Sequence, residues 1–208
     1  SQSCRCRTDV TGVILAGGRS LRMGRDKASL KVAGVSLFSR AKVLLREFFP
    51  RVIIAGDRPD LAEADLPCFP DPFPGSALGG LYTGLLHAET SWIFSLPCDL
   101  PFADPAMVQA VLRARGGWDV VVPMPPGGPE PLFGLYSKKC LPFMERQLAS
   151  GLYRIVDFYD RVRVRYLGTE ELPPGWRRAL YNLNSREDYQ RILLENVDPN
   201  GAEKGGVR

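Results

Sequence analysis

Residues 10–27 read VTGVILAGGRSLRMGRDK, an apolar run that changes abruptly into a polar loop rich in glycine and arginine. The apolar part, residues 10–16, has the composition of a strand that is buried on both faces of a parallel sheet. In an open parallel sheet, ligands bind beyond the carboxyl ends of the strands, which is where this loop begins. Residues 10–27 therefore predict both a parallel sheet and the position of a binding site.

Apolar runs and helical patterns alternate along the rest of the chain. Further strands are predicted at residues 52–55, 92–96, 120–122 and 132–136, with an exposed or edge strand of alternating charged and apolar residues at 161–166. Helices are predicted at residues 36–49, 77–89, 104–115, 140–149 and 185–194. The last helix opens with Ser185 and Asp188, which resemble a capping box.

This alternation predicts the α/β fold class. We expect a single domain over residues 9–196, with a mostly parallel sheet and helices on both faces. A polar tail is expected at residues 1–8 and a flexible C-terminal tail at residues 197–208.

Composition and charge narrow the class of ligand. The 208 residues include 27 Lys and Arg against 23 Asp and Glu, a net charge of +4. Residues 1–27 alone hold six cations and two carboxylates, so the excess lies around the first strand and its loop. Such a cluster attracts phosphates. Because the chain lacks a helix-turn-helix, zinc-finger or RNA-stacking signature, we expect a small phosphorylated ligand and no nucleic acid.

Membrane insertion, export and a histidine metal centre are not expected. No run of about 18 apolar residues is present to span a membrane, and no charged-then-apolar leader opens the sequence. The five cysteines are odd in number and scattered, which favours a reduced, cytoplasmic compartment. The single histidine, His87, cannot form a multi-histidine site.

The loop after the first strand has the chemistry of a phosphate site. Gly17 and Gly18 have no side chains, so the backbone can approach a nucleotide closely and its N–H groups can point at phosphate oxygens. Four cations follow in the same loop: Arg19, Arg22, Arg25 and Lys27. The spacing fits neither the P-loop nor the dinucleotide fingerprint. A solvated turn with accidental basic residues is the alternative, and the four cations make it the weaker one.

Two carboxylates follow other predicted strands. Asp99, in the segment LPCDLP, ends a buried strand and should emerge at the same sheet edge as the glycine loop, where it can hold Mg²⁺. Alternatively, Asp99 caps a turn between two prolines. Asp71 precedes a turn-rich segment and either binds a base or ribose or caps that turn.

Three motifs together resemble the molybdenum cofactor guanylyltransferase family. They are LAGGRSLRMGRDK at residues 15–27, PCDLP at 97–101 and YNLNSREDY at 181–189. The first motif is specific and the other two support it, and the resemblance runs from Val13 to Leu194. It implies a single Rossmann-like nucleotidyltransferase domain that transfers GMP from GTP to molybdenum-bearing molybdopterin. It also implies partner proteins that supply molybdopterin and mature molybdoenzymes.

The resemblance also implies roles for individual residues. It assigns a GTP site to Leu15, Ala16, Gly17, Gly18, Lys27, Asp71 and Asp99. Within that site, Lys27 contacts the phosphates, Asp71 contacts GTP, and Asp99 is the Mg²⁺ ligand. Asn182 and Asn184 match paired asparagines on the molybdopterin side of the cleft.

The expected mechanism relies on positioned charge. The nucleophile is already an anionic phosphate, so no strong general base is required, and the obstacles are charge repulsion and alignment. We expect Asp99 to hold Mg²⁺ on the triphosphate. Lys27 and Arg22 are expected to stabilise the α-phosphate transition state and the departing pyrophosphate.

The residues leave other functions open. A related nucleotidyltransferase of the same fold would transfer CMP to molybdopterin or a nucleotide to a sugar phosphate. Cytidylyltransferase relatives usually read Leu-Ala-Ala-Gly where residues 15–18 are Leu-Ala-Gly-Gly, so the resemblance favours GTP. A non-enzymatic nucleotide or molybdopterin carrier would not need Asp99. One departure stands at Ala55, where the second strand of the family often ends in an asparagine near the nucleotide.

Overall fold

The computed structural model describes residues 7–17 and 26–196. Its strands are β1 (Val10–Leu15), β2 (Lys31–Val32), β3 (Val35–Ser36), β4 (Val52–Ala55), β5 (Cys68–Phe69), β6 (Trp92–Pro97), β7 (Val120–Pro123), β8 (Gly134–Ser137) and β9 (Val164–Leu167). Its helices are α1 (Leu37–Phe48), α2 (Ala77–His87), α3 (Pro105–Arg113), α4 (Leu141–Ala149), α5 (Trp176–Ala179) and α6 (Arg186–Asn196). No helix in the described ranges has both the length and the apolar character of a membrane span.

The main sheet has the order β5-β4-β1-β6-β8-β7-β9. Within the described residues, β8 alone runs against the other strands of this sheet. The central strand β1 is parallel to both neighbours, and Leu15 is in register with Ala55 on one side and with Pro97 on the other. Three parallel strands therefore end at one level, which brings the loops that follow them to one edge.

Helices cover both faces of the sheet, as the sequence predicted. Alternate side chains of β1 point to opposite faces because strands have a two-residue period. Ile14 belongs to the core that includes α1 and α3, whereas Val13 belongs to the core with α2 and α4. The doubly covered, mostly parallel sheet confirms the predicted fold class.

Several predicted boundaries need correction. The strand expected at residues 161–166 begins only at Val164, because Ile155–Arg161 forms a 3-10 helix, although β9 does lie at the sheet edge. The strand expected at 132–136 begins at Gly134. The β2–β3 hairpin and β5 were not predicted, because a strand of two residues is too short to show the alternation of apolar and polar residues.

The capping box at the start of α6 is confirmed. The Asp188 N–H donates to Ser185 Oγ over 3.0 Å, and the Ser185 N–H donates back to Asp188 Oδ2 over 3.0 Å. These reciprocal bonds satisfy backbone donors that a helix start otherwise leaves unpaired.

Candidate active site

A cavity of about 440 Å³ opens at the carboxyl ends of β1, β4 and β6. The N-terminal turn of α2 and the loop before it close its other side. Six residues that the sequence assigned to the GTP site line this cavity: Leu15, Ala16, Gly17, Lys27, Asp71 and Asp99. The start of the glycine loop and the segment that contains Asp99 thus converge, although Leu15 and Asp99 lie 84 positions apart in the chain.

Of the four remaining predicted site residues, the structure describes only two. Gly18 and Arg22 lie outside the described residues. Asn182 and Asn184 are exposed and are not among the lining residues. Their segment is nevertheless adjacent to Asp99, because the N–H of the intervening Leu183 donates to the Asp99 backbone carbonyl over 2.8 Å.

Backbone approach between the loops after β1 and β4 shapes one wall. Gly56 has φ +138°, a conformation that L side chains rarely adopt. A Cβ on Gly56 would lie 2.7 Å from the Gly17 nitrogen and 2.9 Å from its Cα. The Ala16 N–H donates to the Ala55 carbonyl over 3.1 Å, which holds the two loops together. Only glycine at position 56 allows this arrangement of the Gly17 backbone.

Gly56→Ala is therefore expected to damage both stability and nucleotide binding. Strain and the clash with Gly17 should lower the free energy of unfolding by about 1–3 kcal/mol. Displacement of Gly17 should also weaken the GTP binding that the resemblance implies, by roughly tenfold or about 1.4 kcal/mol. Denaturant unfolding and calorimetric titration with GTP measure the two effects.

Gly34→Ala is the matched control for this substitution. Gly34 also has a positive φ, +74°, but nothing lies within 4 Å of a Cβ placed there, and it does not line the cavity. It should lose stability through strain alone and bind GTP normally. Equal GTP affinity in both variants would contradict the proposed importance of the Gly17–Gly56 contact.

Asp71 lies against the first turn of α2. Its Oδ1 accepts a hydrogen bond from the Phe73 N–H over 2.7 Å, and burial raises the pKa of its carboxyl. A Cβ on Gly79 would lie 2.5 Å from Asp71 Oδ2, so the absence of a side chain at position 79 makes room for the carboxylate. Asp71 thus caps its turn and also lines the cavity, while its contact with a base or ribose stays a prediction.

Asp99 is the least satisfied polar group of the cavity. Its Oδ1 is buried and has no hydrogen-bond partner within the described residues. Burial raises the pKa of the Asp99 carboxyl, and the nearby positive charge of Lys27 opposes that rise. To remain ionised, a buried carboxylate oxygen without a donor needs a compensating cation.

Glu130 is a second carboxylate near Asp99 and was not among the predicted site residues. Burial raises the pKa of Glu130, and the negative charge of Asp99 raises it further, so the two acids are electrostatically coupled. No sequence motif connects Glu130 with Asp99, and only the fold brings the two residues together. Leu132, from the same loop, lines the cavity, and its carbonyl accepts a hydrogen bond from Ser95 Oγ of β6 over 2.7 Å.

Asp57 and Arg58 also line the cavity and were not predicted. They follow the strand end at Ala55, where the family often has an asparagine. Arg58 is engaged by the carboxylates of Asp26 and Asp60. No local sequence signal connects Arg58 with Asp26, which lies 32 residues earlier.

Neither Cys98 nor His87 supplies a nucleophile here. Cys98 lines the cavity, but burial raises the pKa of its thiol to about 12, so it stays protonated. The exposed His87 stacks on Phe69 with 4.2 Å between ring centroids and does not line the cavity. Both observations agree with a reaction driven by positioned charge.

Comparison with known proteins identifies the family. The model of the MobA-like NTP transferase domain matches residues 12–163. A probable molybdenum cofactor guanylyltransferase of Pelotomaculum thermopropionicum is 35% identical and aligns with 89% of this chain and 94% of its own length. The molybdenum cofactor guanylyltransferase of Serratia proteamaculans is 30% identical, with 90% of this chain and 95% of its own length covered.

A solved structure supports the same conclusion at the level of the fold. Molybdopterin-guanine dinucleotide biosynthesis protein A of Archaeoglobus fulgidus superposes with a TM-score of 0.75 at 21% identity, covering 89% of this chain and 97% of its own. The chain therefore belongs to the molybdenum cofactor guanylyltransferase family, with a MobA-like NTP transferase domain.

Proposed function

We propose that this protein transfers GMP from GTP to molybdenum-bearing molybdopterin, releasing pyrophosphate and forming molybdopterin guanine dinucleotide. The observation that carries the proposal is the single cavity that gathers Gly17, Lys27 and Asp99 at one sheet edge. Family membership favours this reaction over cytidylyl or sugar-phosphate transfer. A passive carrier would give no reason for a cavity carboxylate that has a buried oxygen without a hydrogen-bond partner.

The nucleotide is proposed to lie along the lining of this cavity. Leu15, Ala16 and Gly17 present backbone at the end of β1, where phosphate oxygens can meet N–H groups. Asp71 accepts hydrogen bonds, so it suits the donor groups of a base or ribose. Asn182 and Asn184 are proposed to face molybdopterin, since their segment is joined to the backbone of Asp99 from outside the cavity.

The donor set fits a magnesium ion that the substrate helps to bind. Mg²⁺ usually takes one or two protein carboxylates together with substrate phosphates and water. Asp99 offers an oxygen without a partner, Glu130 lies within electrostatic reach, and the described residues hold no cluster of three ligating side chains that would make a closed site. When bound, the ion would draw charge from the triphosphate oxygens.

The protein itself orients the reactants and balances their charge. A phosphate oxygen of molybdopterin forms a bond to the α-phosphorus of GTP, and the bond from that phosphorus to the bridging oxygen of the β-phosphate breaks as pyrophosphate leaves. Lys27 is proposed to stabilise the charge that develops on the α-phosphate and the leaving group. Arg22 is proposed for the same task from the sequence motif, and it lies outside the described residues.

A competition assay tests this function directly. The protein is incubated with Mg²⁺, molybdenum-loaded molybdopterin and equal concentrations of GTP, CTP and ATP, and dinucleotide products are separated by chromatography. We expect the guanine dinucleotide to dominate by at least roughly tenfold, the range that pocket contacts supply. A cytosine product would support the cytidylyltransferase alternative, and bound GTP without pyrophosphate release would support the carrier.

A further inference from the structure

Arg58 is a buried cation on the wall of the cavity. Only 7% of the residue is exposed, and it lies in the loop that follows β4. A buried guanidinium requires compensating acceptors, and here two carboxylates provide them. Hydrogen bonds to Asp60 and to Asp26 raise the pKa of Arg58, so it remains charged.

The bond between Arg58 and Asp26 is bidentate. Nη1 donates to Asp26 Oδ1 over 2.6 Å, and Nη2 donates to Asp26 Oδ2 over 2.6 Å. Two parallel charge-assisted bonds fix the orientation of the partner as well as its distance. The contact joins the loop after β4 to the segment that begins at Asp26.

Asp26 transmits this constraint to the next residue. Its carboxylate accepts from the Ala28 N–H over 3.2 Å and from Ser29 Oγ over 2.5 Å, which caps the 3-10 helix Lys27–Ser29. Burial alone would raise the pKa of Asp26, but hydrogen bonds from Arg58 and Ser29 hold it below its ordinary value. Asp26 is therefore an ionised cap held from both sides, and Lys27 is the first residue of the turn that it caps.

Although Arg58 lies on the cavity wall, two carboxylates already balance its charge, so it would attract a nucleotide only weakly. Its guanidinium donates to two carboxylates, and the bonds to Asp60 measure 3.0 and 2.8 Å. Lys27, by contrast, lines the cavity and forms no ion pair within the described residues, and its charge reaches Asp99. The two cations thus differ in role: Lys27 faces the cavity, whereas Arg58 holds the backbone of the neighbouring loop.

We infer that Arg58 is a positioning residue for GMP transfer. Through Asp26 it holds the short helix that places Lys27 in the cavity. The inference rests on the proposed role of Lys27, and it predicts that the two side chains act on the same step. Loss of Arg58 should therefore matter only while Lys27 is present.

A double-mutant cycle tests this dependence. Arg58→Met, Lys27→Ala and the double variant are assayed for kcat with GTP and molybdenum-loaded molybdopterin. Misplacement of a catalytic group by about 1 Å costs on the order of 10²-fold, so Arg58→Met alone should lower kcat by about that factor. In the Lys27→Ala background, the same substitution should change the residual kcat by less than roughly threefold.

Arg46→Met is the matched control. Arg46 also contacts two carboxylates, Glu63 and Asp65, but it is partly exposed and does not line the cavity. Its kcat should stay within about twofold of the parent. If Arg58→Met does not fold, as judged by circular dichroism, Asp26→Asn interrupts the same link with an isosteric neutral side chain and replaces it in the cycle.

A second readout does not depend on turnover. The rate at which an acylating reagent modifies the Lys27 amine, followed by peptide mass spectrometry, reports whether the side chain keeps its place. Arg58→Met should change the acylation rate of the Lys27 amine and weaken the protection of this amine by GTP. Arg58→Lys keeps the charge without the bidentate fork, so it should restore part of the rate and part of the protection.

The outcomes distinguish the positioning role of Arg58, the role of Lys27 and the proposed function. Equal effects of Arg58→Met in the presence and absence of Lys27 would overturn the positioning role while leaving Lys27 in the site. Normal kcat in Lys27→Ala would overturn this inference together with the role of Lys27. Failure of the unmodified protein to transfer GMP would instead refute the proposed function itself.

Discussion

Asp99→Asn is expected to lower kcat for GMP transfer by a factor on the order of 10²–10³, the usual loss when one positioned charge is removed from a transition state. The substitution is nearly isosteric and removes the negative charge that is proposed to hold Mg²⁺. Asp99 Oδ1 has no hydrogen-bond partner in the described residues, so no local contact of that oxygen depends on the charge. Single-turnover formation of the guanine dinucleotide at saturating Mg²⁺ measures the effect.

The same substitution should leave stability unchanged or raise it. Burial raises the pKa of Asp99, which means that folding disfavours its charged form. Above that raised pKa the carboxylate lowers the free energy of unfolding, and the penalty disappears as the pH falls below the pKa of the unfolded chain. Asn carries no such penalty, so the advantage of Asp99→Asn should be present at neutral pH and shrink in mild acid. Thermal unfolding of Asp99→Asn and the parent, at neutral pH and in mild acid, measures this difference in stability.

Asp104→Ala is the control from the same loop. Asp104 Oδ1 accepts from the Met107 N–H over 2.9 Å and caps α3. Its loss should lower the free energy of unfolding by about 1 kcal/mol and leave kcat unchanged below the unfolding temperature. Near-normal turnover by Asp99→Asn, or a loss of stability like that of Asp104→Ala, would contradict the assignment of Asp99 to function.

The strand ends were predictable because burial on both faces leaves an unmistakable sequence pattern. The apolar runs that became β1, β4 and β6 were placed within a residue or two, and each is followed by polar residues. Once parallel strands end at one edge, side chains after different strands must meet, so the meeting of Gly17 with Asp99 follows from topology. This geometry confirms the predicted convergence, while the roles of these residues stay proposals.

The contacts that hold the site could not be predicted in the same way. Arg58 and Asp26 lie in two different loops, and their pairing depends on tertiary folding rather than on any period. Glu130 comes close to Asp99 because β8 returns antiparallel beside β6, a turn that the glycine- and proline-rich loop does not reveal. Candidate catalytic groups can be recognised in a sequence by their chemical type. The residues that orient them cannot, because in the sequence they resemble ordinary surface charges.

Arg163 and Arg165, in the stretch of alternating charged and apolar residues, show a different case, because each contacts another side chain within the described residues. The Arg163 guanidinium stacks over Trp118, 5.6 Å from the ring centroid, and Arg165 pairs with Glu171. These contacts agree with the exposed strand that the alternation predicted. Clustered cations indicate a phosphate site only where the fold directs them into a cavity, as it does with Lys27.

Lys27→Ala is expected to lower kcat on the order of 10²–10³-fold, with a smaller change in the affinity for GTP. Lys27 lines the cavity and forms no ion pair within the described residues, so its charge is available to a phosphate. As pyrophosphate leaves, negative charge grows on the bridging oxygen, and a fixed ammonium group stabilises that charge more than it stabilises bound GTP. Measurement of kcat and KM, together with calorimetric titration of GTP, separates the two effects.

Lys139→Ala controls for the loss of a lysine charge. Its side chain is 82% exposed, lies 3.9 Å from Asp119 and does not line the cavity, so kcat should stay within about twofold of the parent. Lys27→Arg keeps the charge on a longer side chain and should retain part of the rate. A raised KM at constant kcat would assign Lys27 to ground-state binding, because an interaction made equally in substrate and transition state leaves kcat unchanged. Unchanged kcat/KM would remove Lys27 from the site altogether.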